Sequence, residues 1–238
     1  MRTAVIVQAR AKSTRLPGKA LLPLGKGTVL SEVLDRCAAI PGADVVCCAI
    51  PDGNDDDAVA AEAEAVGAQV VRGDERDVLA RYLKAARALN ADVVLRVTSD
   101  CPLIDPALCG EVLAERTRSN ADYACNNMPR LFPHGLDCEA FTTSALARAD
   151  INAATPRERE HVTPWLRESN EISRTAVAGP GGAATRYRWT LDYPEDYELL
   201  RTLFAKLPNP APTAWQEILD IVESIPGLTE INRQHHAA

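Results

Sequence analysis

The stretch that decides the fold is Thr3-Ala-Val-Ile-Val7 running into Gln8-Ala-Arg-Ala-Lys-Ser-Thr-Arg-Leu-Pro-Gly-Lys19. A short apolar run that stops abruptly at a polar, cation-rich loop reads as a buried strand with a loop at its carboxyl end. Thr28 can cap a helix whose Val29, Leu30, Val33, Leu34 and Cys37 share one face and which ends near Pro41-Gly42. Asp44 to Ile50 reads as a second strand. Pro51 to Asp57 is an acidic turn that can start a helix running to Val66-Gly67. Gln69 to Arg72 is a third strand, Asp77 to Leu89 a helix and Asp92 to Val97 a fourth strand. Strands alternating with helices at this spacing predict parallel strands joined by crossover helices, hence an α/β fold.

Beyond Asp100 the turn signals Cys101-Pro102, Asp105-Pro106, Met128-Pro129 and Phe132-Pro133 break the pattern, which predicts a mixed α and β segment. Gly179-Pro180-Gly181-Gly182 reads as an exposed hairpin or loop. A strand is expected from Arg186 to Leu191, a helix from Pro194 to Leu207, and a last helix from about Ala214 to Ile225. There is no internal repeat and no low-complexity linker, so one domain over residues 1–238 is expected.

Composition narrows the class. The 238 residues are 46% hydrophobic and 25% charged, which excludes a disordered chain or a fibrous repeat. The net charge of −7 argues against a nucleic-acid binder or a protein held on an anionic membrane. Yet Arg2, Arg10, Lys12, Arg15, Lys19 and Lys26 all precede Glu32, the first acid. A run of like charges is most often a solvated surface, but here it follows directly on an apolar strand, which favours an anion site. The seven cysteines are odd in number, with no Cys-x-x-Cys pair and no zinc-like spacing, and suit a reducing compartment. The run Ala4 to Val7 is too short for a signal peptide, and no stretch approaches the roughly 18 apolar residues of a membrane span. A cytoplasmic location is expected.

In an open α/β sheet, ligands bind outside the carboxyl ends of the strands. Exposed backbone amides and four cations on the first loop would suit a triphosphate there. The loop is not a Walker A motif, because Ser13 stands where a glycine is needed and Ala20 where Ser or Thr is needed. Nor does it match Gly-x-Gly-x-x-Gly.

The loop Gln8 to Lys19 resembles the signature of the cytidylyltransferases that activate acidic sugars, and is most similar to their spore-coat polysaccharide biosynthesis branch. Further matches follow in order: Arg72-Gly-Asp-Glu-Arg-Asp-Val-Leu79, Arg96-Val-Thr-Ser-Asp-Cys-Pro-Leu-Ile-Asp105, Pro133-His-Gly-Leu-Asp-Cys-Glu139, Arg159-Glu-His-Val-Thr-Pro164 and Arg188-Trp-Thr-Leu-Asp192. The resemblance implies a three-layer α/β/α sandwich of the nucleotide-diphospho-sugar-transferase type, with a mostly parallel, Rossmann-like sheet. Residues 1–105 would form the nucleotide-binding half, and 106–238 the acceptor-binding and dimerisation half of a homodimer. The reaction implied is transfer of CMP from CTP to a small acidic acceptor, a 2-keto sugar acid or a phosphonate, with loss of pyrophosphate and with Mg²⁺ as cofactor.

The resemblance assigns Arg10, Arg15 and Lys19 to the β and γ phosphates and to charge developing on the leaving group. It gives Asp100 and Asp192 to Mg²⁺. Read alone, either aspartate could instead cap the helix after it, and Asp105 before Pro106 reads as a cap. Gln8, Ala9, Ser13 and Gly18, with Arg72, Asp77 and Arg96, are nucleotide-site candidates. Arg81 could replace Arg72, and Asp77 could simply start its helix. On the acceptor side, Arg159 and His161 would suit a carboxylate or phosphonate, and Asp137 and Glu139 hydroxyl or amino groups, with His134 beside them. A satisfied core histidine and a solvent-facing strand are the alternative there. His235 and His236, at the C-terminus, are given no role.

Two other classes compete. A catalytically idle nucleotide-binding protein would be expected to lack Lys19 or one aspartate, and this chain keeps all three. A glycosyltransferase on a similar frame would carry Asp-x-Asp at the strand end, where this chain has Thr98-Ser99-Asp100-Cys101.

Overall fold

Alternate residues of Thr3–Gln8 (β1) face two separate apolar layers, and this fixes the architecture. Val5 and Val7 enter one core, Ala4 and Ile6 the other, as a strand buried on both faces requires. The computed structural model describes residues 1–208 and 212–236. After β1 and its loop comes a small hairpin of Pro23–Leu24 (β2) and Gly27–Thr28 (β3). Then follow helix Val29–Ala38 (α1), strand Val45–Pro51 (β4), helix Asp57–Ala65 (α2), strand Gln69–Gly73 (β5), helix Val78–Ala88 (α3) and strand Val93–Thr98 (β6). Thr28 caps α1 reciprocally with Ser31, and Asp77 caps α3 through the Ala80 amide at 2.9 Å.

The second half holds helix Pro106–Ser119 (α4), strands Tyr123–Cys125 (β7) and Glu139–Thr142 (β8), helices Thr143–Asn152 (α5), Pro156–His161 (α6) and Pro164–Glu168 (α7), strand Arg174–Ala176 (β9), and helices Pro194–Phe204 (α8) and Trp215–Ser224 (α9). Asp105 caps α4 through the Leu108 amide at 2.9 Å. One seven-stranded sheet runs β5-β4-β1-β6-β8-β7-β9 and draws on both halves. Only β8 runs against the others, so the sheet is mostly parallel, and α1, α2 and α4 cover one face while α3, α5 and α7 cover the other. This is the expected α/β/α sandwich.

A third apolar cluster lies beyond the sandwich. Trp189 and Leu191 pack there with Leu103, Leu136, α8 and α9, each large side chain worth about 1.5 to 3 kcal/mol on burial. The strand expected from Arg186 to Leu191 is not formed. Gly182–Arg186 makes a 3-10 turn, and the residues after it are extended but joined to the fold by single bonds: His134 N to Tyr187 O at 2.9 Å, Trp189 N to His134 O at 2.6 Å, Leu191 N to Asp100 O at 2.8 Å. The segment reaches the end of β6 at Asp100 instead of joining a sheet edge, so its amides find scattered partners. Gly135, at φ +112°, permits the close approach; a Cβ there would stand 2.7 Å from the Trp189 carbonyl carbon.

Helix α8 stops at Phe204, short of Leu207. All seven cysteines are buried and unpaired. Among the described residues no helix is long and apolar enough to cross a membrane.

Candidate active site

Where β1 and β6 end, the first loop folds into a ring of backbone bonds. The Ala9 amide still bonds Ala49 O at 3.2 Å, and the Ala11 amide is taken by buried Asp56 at 2.5 Å. Gly18, at φ +69°, closes the loop through its amide to Ala11 O at 3.2 Å, in a left-handed conformation that favours glycine. The amides of Arg10, Lys12, Ser13, Thr14 and Arg15 have no protein partner among the described residues. Such a row of free donors between cations is suited to phosphate oxygens.

The loop borders a cleft of about 400 Å³. Of the residues singled out in the sequence, Gln8, Ala9, Arg10, Ser13, Arg15, Lys19, Arg96, Asp100, His161 and Asp192 all line it. Lys19 is its charged centre. The ammonium lies 3.0 Å from Asp100 Oδ2, 3.0 Å from Asp192 Oδ1 and 2.8 Å from Leu191 O. Burial alone would lower the Lys19 pKa, but the two carboxylates outweigh it and hold the ammonium above the ordinary lysine value. Burial likewise works to raise Asp100, yet Lys19 and the Thr98 hydroxyl at 2.5 Å keep it below the usual carboxylate range. Asp192 also receives Arg15 at 2.6 Å and, on its other oxygen, Arg188 at 3.1 Å. Arg10 forms no ion pair among the described residues.

Among the described residues no three His, Cys, Asp or Glu side chains converge on a metal cage. A nucleotide-bound Mg²⁺ does not need one, since one or two carboxylates plus phosphate oxygens and water complete its octahedron. Asp100 and Asp192 are hard oxygen donors that already converge on one cation, the Lys19 ammonium. The donor set therefore fits.

Arg96 forms the opposite wall. It donates to Glu139 at 2.7 Å and to Gln8 Oε1 at 3.2 Å, while its buried Nε has no partner. Glu139 is 1% exposed, because antiparallel pairing sets it directly opposite Arg96. Tyr123 and Arg167 complete its shell, at 2.5 Å and 2.9 Å. Burial pushes its pKa up and the two guanidiniums more than reverse that. A smaller basic pocket of about 230 Å³ adjoins the cleft, sharing Arg96 and His161 with it and adding Arg157 and Arg167. His161 is held at this junction by an unusual turn. Thr163 N bonds His161 O at 2.7 Å across Val162, a buried β-branched residue at φ +68°, a γ-turn of the strained hand.

The remaining candidates do not line the cleft. Arg72, at the end of the edge strand β5, pairs with Asp57 at 2.6 Å and Gly53 O; Arg81 of α3 lines the cleft instead, with a buried Nε that has no partner. Asp77 caps α3 and binds Arg159, which also holds Asp150 at 2.7 Å. Arg159 thus ties α6 to α3, with its donors engaged. Glu139 sits beneath the cleft, not in it. His134 contacts Arg188 at 3.2 Å and Asp137 contacts Arg130 at 3.4 Å; burial and the Arg130 charge lower the His134 pKa. Sequence reasoning gave no role to Arg188, Thr98 or Glu160, although all three lie inside quoted motifs.

The chain is similar to known proteins over most of its length. A family profile described as cytidylyltransferase matches residues 4–217. The spore coat polysaccharide biosynthesis protein SpsF of Bacillus subtilis is 31% identical over 229 residues, covering 93% of this chain and 94% of that protein. A 3-deoxy-manno-octulosonate cytidylyltransferase of Anaeromyxobacter sp. is 31% identical over 247 residues, covering 87% and 99%. A solved cytidylyltransferase from Leptospira borgpetersenii superposes with a TM-score of 0.90 at 31% identity, over 96% of this chain and 97% of that one.

Proposed function

The chain belongs to the cytidylyltransferase family, and from that premise we propose that it moves CMP from CTP to a small acidic acceptor, a 2-keto sugar acid or a phosphonate. An acceptor oxygen attacks the α phosphorus, the bond from that phosphorus to the bridging oxygen breaks, and pyrophosphate leaves with the electron pair. Enzymes of such transfers mostly position the reactants and neutralise charge. The observation that carries the reading is the meeting of Lys19, Asp100 and Asp192 within 3.0 Å on the rim beside the amide-lined loop.

In this reading the free amides of residues 10 and 12–15 and the side chains of Arg10, Arg15 and Lys19 cradle the β and γ phosphates. Each such donor, aimed where charge develops on the leaving group, contributes about 2.7 to 4 kcal/mol to the transition state. Asp100 and Asp192 hold Mg²⁺, which supplies Lewis-acid polarisation of the phosphate oxygens. Gln8, Ala9, Arg81 and Arg96 border the space left for the base. The acceptor's anionic group lies toward His161, Arg96 and Arg167, where two guanidiniums share the single charge of Glu139 and leave an excess of positive charge. A phosphonate oxygen is already ionised at neutral pH and needs little help from a base; a sugar hydroxyl would use His161 for its proton.

The test is pyrophosphate release from each of the four nucleoside triphosphates with Mg²⁺, against a panel of 2-keto sugar acids and small phosphonates. Release with CTP and one acceptor, lost in Asp100→Ala, supports the assignment and names the acceptor. Release with another triphosphate, or with none, overturns it.

A further inference from the structure

The chain's last described turn packs behind Asp192 and Arg15, two residues that line the cleft. Asp196, in the first turn of α8, is 0% exposed and accepts from Arg188 Nε at 3.0 Å, from the amides of Asp192 and Tyr193 at 2.9 and 3.1 Å, and from Asn232 Nδ2 at 2.9 Å. Asn232, also 0% exposed, donates in addition to Arg188 O at 3.0 Å. Three residues on, the His235 ring lies parallel to the Tyr193 ring, within 4° and 3.8 Å between centres, and its Nε2 is 3.1 Å from Glu195 Oε2. The guanidinium carbon of Arg15 is 5.1 Å from the centre of that same Tyr193 ring.

We propose that Asn232 and His235 are positioning residues for the nucleotide, acting through Asp196 and Tyr193 on Asp192 and Arg15. The inference rests on the reading that the cleft takes CTP. The physical case lies in the freedom of Arg15. Its side chain is long and 52% exposed, and its one ion pair is with Asp192. An exposed pair of that kind holds a side chain weakly, and an arginine has several rotamers to lose. The Tyr193 ring restricts them, and an aromatic face attracts a guanidinium. The ring can do so only if it is itself immobile. His235 stacks on it and Asn232 ties down the backbone that carries it, so a turn more than 200 residues away in sequence sets the direction of a phosphate ligand.

The test is CTP affinity by calorimetry in the presence of Mg²⁺, for the full-length wild type, His235→Ala and His235→Phe, with thermal unfolding recorded for each. The expected result is a three- to tenfold weaker CTP dissociation constant in His235→Ala with an unfolding midpoint close to wild type, and recovery in His235→Phe, which keeps a flat ring for the stack. Equal affinity in His235→Ala and wild type overturns the proposal. So does equal weakening in both variants, because the stack would then not be the agent. Should His235→Ala lose its fold, Tyr193→Leu takes its place, with Arg15→Ala as the reference for the size of loss expected. No CTP binding by the wild type strikes at the cytidylyltransferase reading itself and removes the proposal with it.

Discussion

The Lys19 ammonium stands 3.0 Å from Asp100 Oδ2, joining the first loop to the end of β6 across 81 residues of sequence. With Asp192 at the same distance, one lysine neutralises both carboxylates proposed to hold Mg²⁺. On the proposed reading, Asp100 and Asp192 would hold the metal only once the Lys19 ammonium had moved off them, and a nucleotide phosphate would receive it. Lys19→Ala is expected to bind Mn²⁺ more tightly than wild type when no nucleotide is present, measured by electron paramagnetic resonance, while pyrophosphate release falls about a hundred- to a thousandfold. Weaker Mn²⁺ binding in the variant would mean that the lysine supports the metal instead of standing in for it.

Glu139 carries an acid-sensitive share of the stability. Its carboxyl is held below its ordinary value, near 4.3, because Arg96 and Arg167 outweigh the cost of burial. A carboxyl lowered in the folded state contributes stability that is present above its unfolded value and is lost as pH falls through the folded one. Wild-type stability in urea should decline below about pH 4. Glu139→Gln should be less stable by about 3 to 5 kcal/mol at neutral pH, since two guanidiniums lose their shared counter-charge, and should show a shallower decline on acidification. An equal slope would place the acid sensitivity elsewhere.

Arg81 and Arg72 divide along the sheet order. Arg72 ends the edge strand β5, two strands from β1, while Arg81 reaches back from α3 into the cleft. Arg81→Lys is expected to weaken CTP binding about tenfold, the worth of a charge-assisted bond, and by more than Arg72→Ala does. Titration calorimetry on the two variants decides it, and the reverse order would return the base-side role to Arg72.

Gly135→Ala is expected to cost about 1 to 3 kcal/mol in backbone strain and, through the contact at 2.7 Å with the Trp189 carbonyl carbon, to shift the segment that carries Asp192. The two effects separate in measurement: a lowered urea midpoint reports the strain, and a CTP affinity reduced at temperatures where the variant is fully folded reports the displacement. Loss of stability with unchanged affinity would show that Asp192 is held independently of this crossing.

The succession β1, α1, β4, α2, β5, α3, β6 was legible because each of these elements carries its own local signal, from two-sided apolar strands to the caps at Thr28 and Asp77; the two-residue strands β2 and β3 are too short to carry one. The place of the first loop, at the carboxyl end of β1, was legible for the same reason. The residues 186–191 were misread because Tyr187, Trp189 and Leu191 alternate with Arg188 and Thr190 as a strand would. Alternation reports burial and backbone extension, not the partner; here the polar residues are buried too, Arg188 against Asp196 and Thr190 against Asp100 O. Glu139 looked like a ligand contact because nothing local reveals that β8 inserts antiparallel beside β6. His235 looked idle because its stacking partner lies 42 positions earlier in the chain.

The buried cysteines have a practical consequence. Burial pushes the Cys47 and Cys48 thiols up to about 12 and raises Cys37, Cys101, Cys109 and Cys125 as well. An alkylating reagent attacks thiolate that it can reach, and the native state offers it almost none. The rate at which a maleimide consumes these thiols then reports how often the sandwich opens, a natural clock for unfolding that needs no engineered label and slows whenever a ligand clamps the sheet.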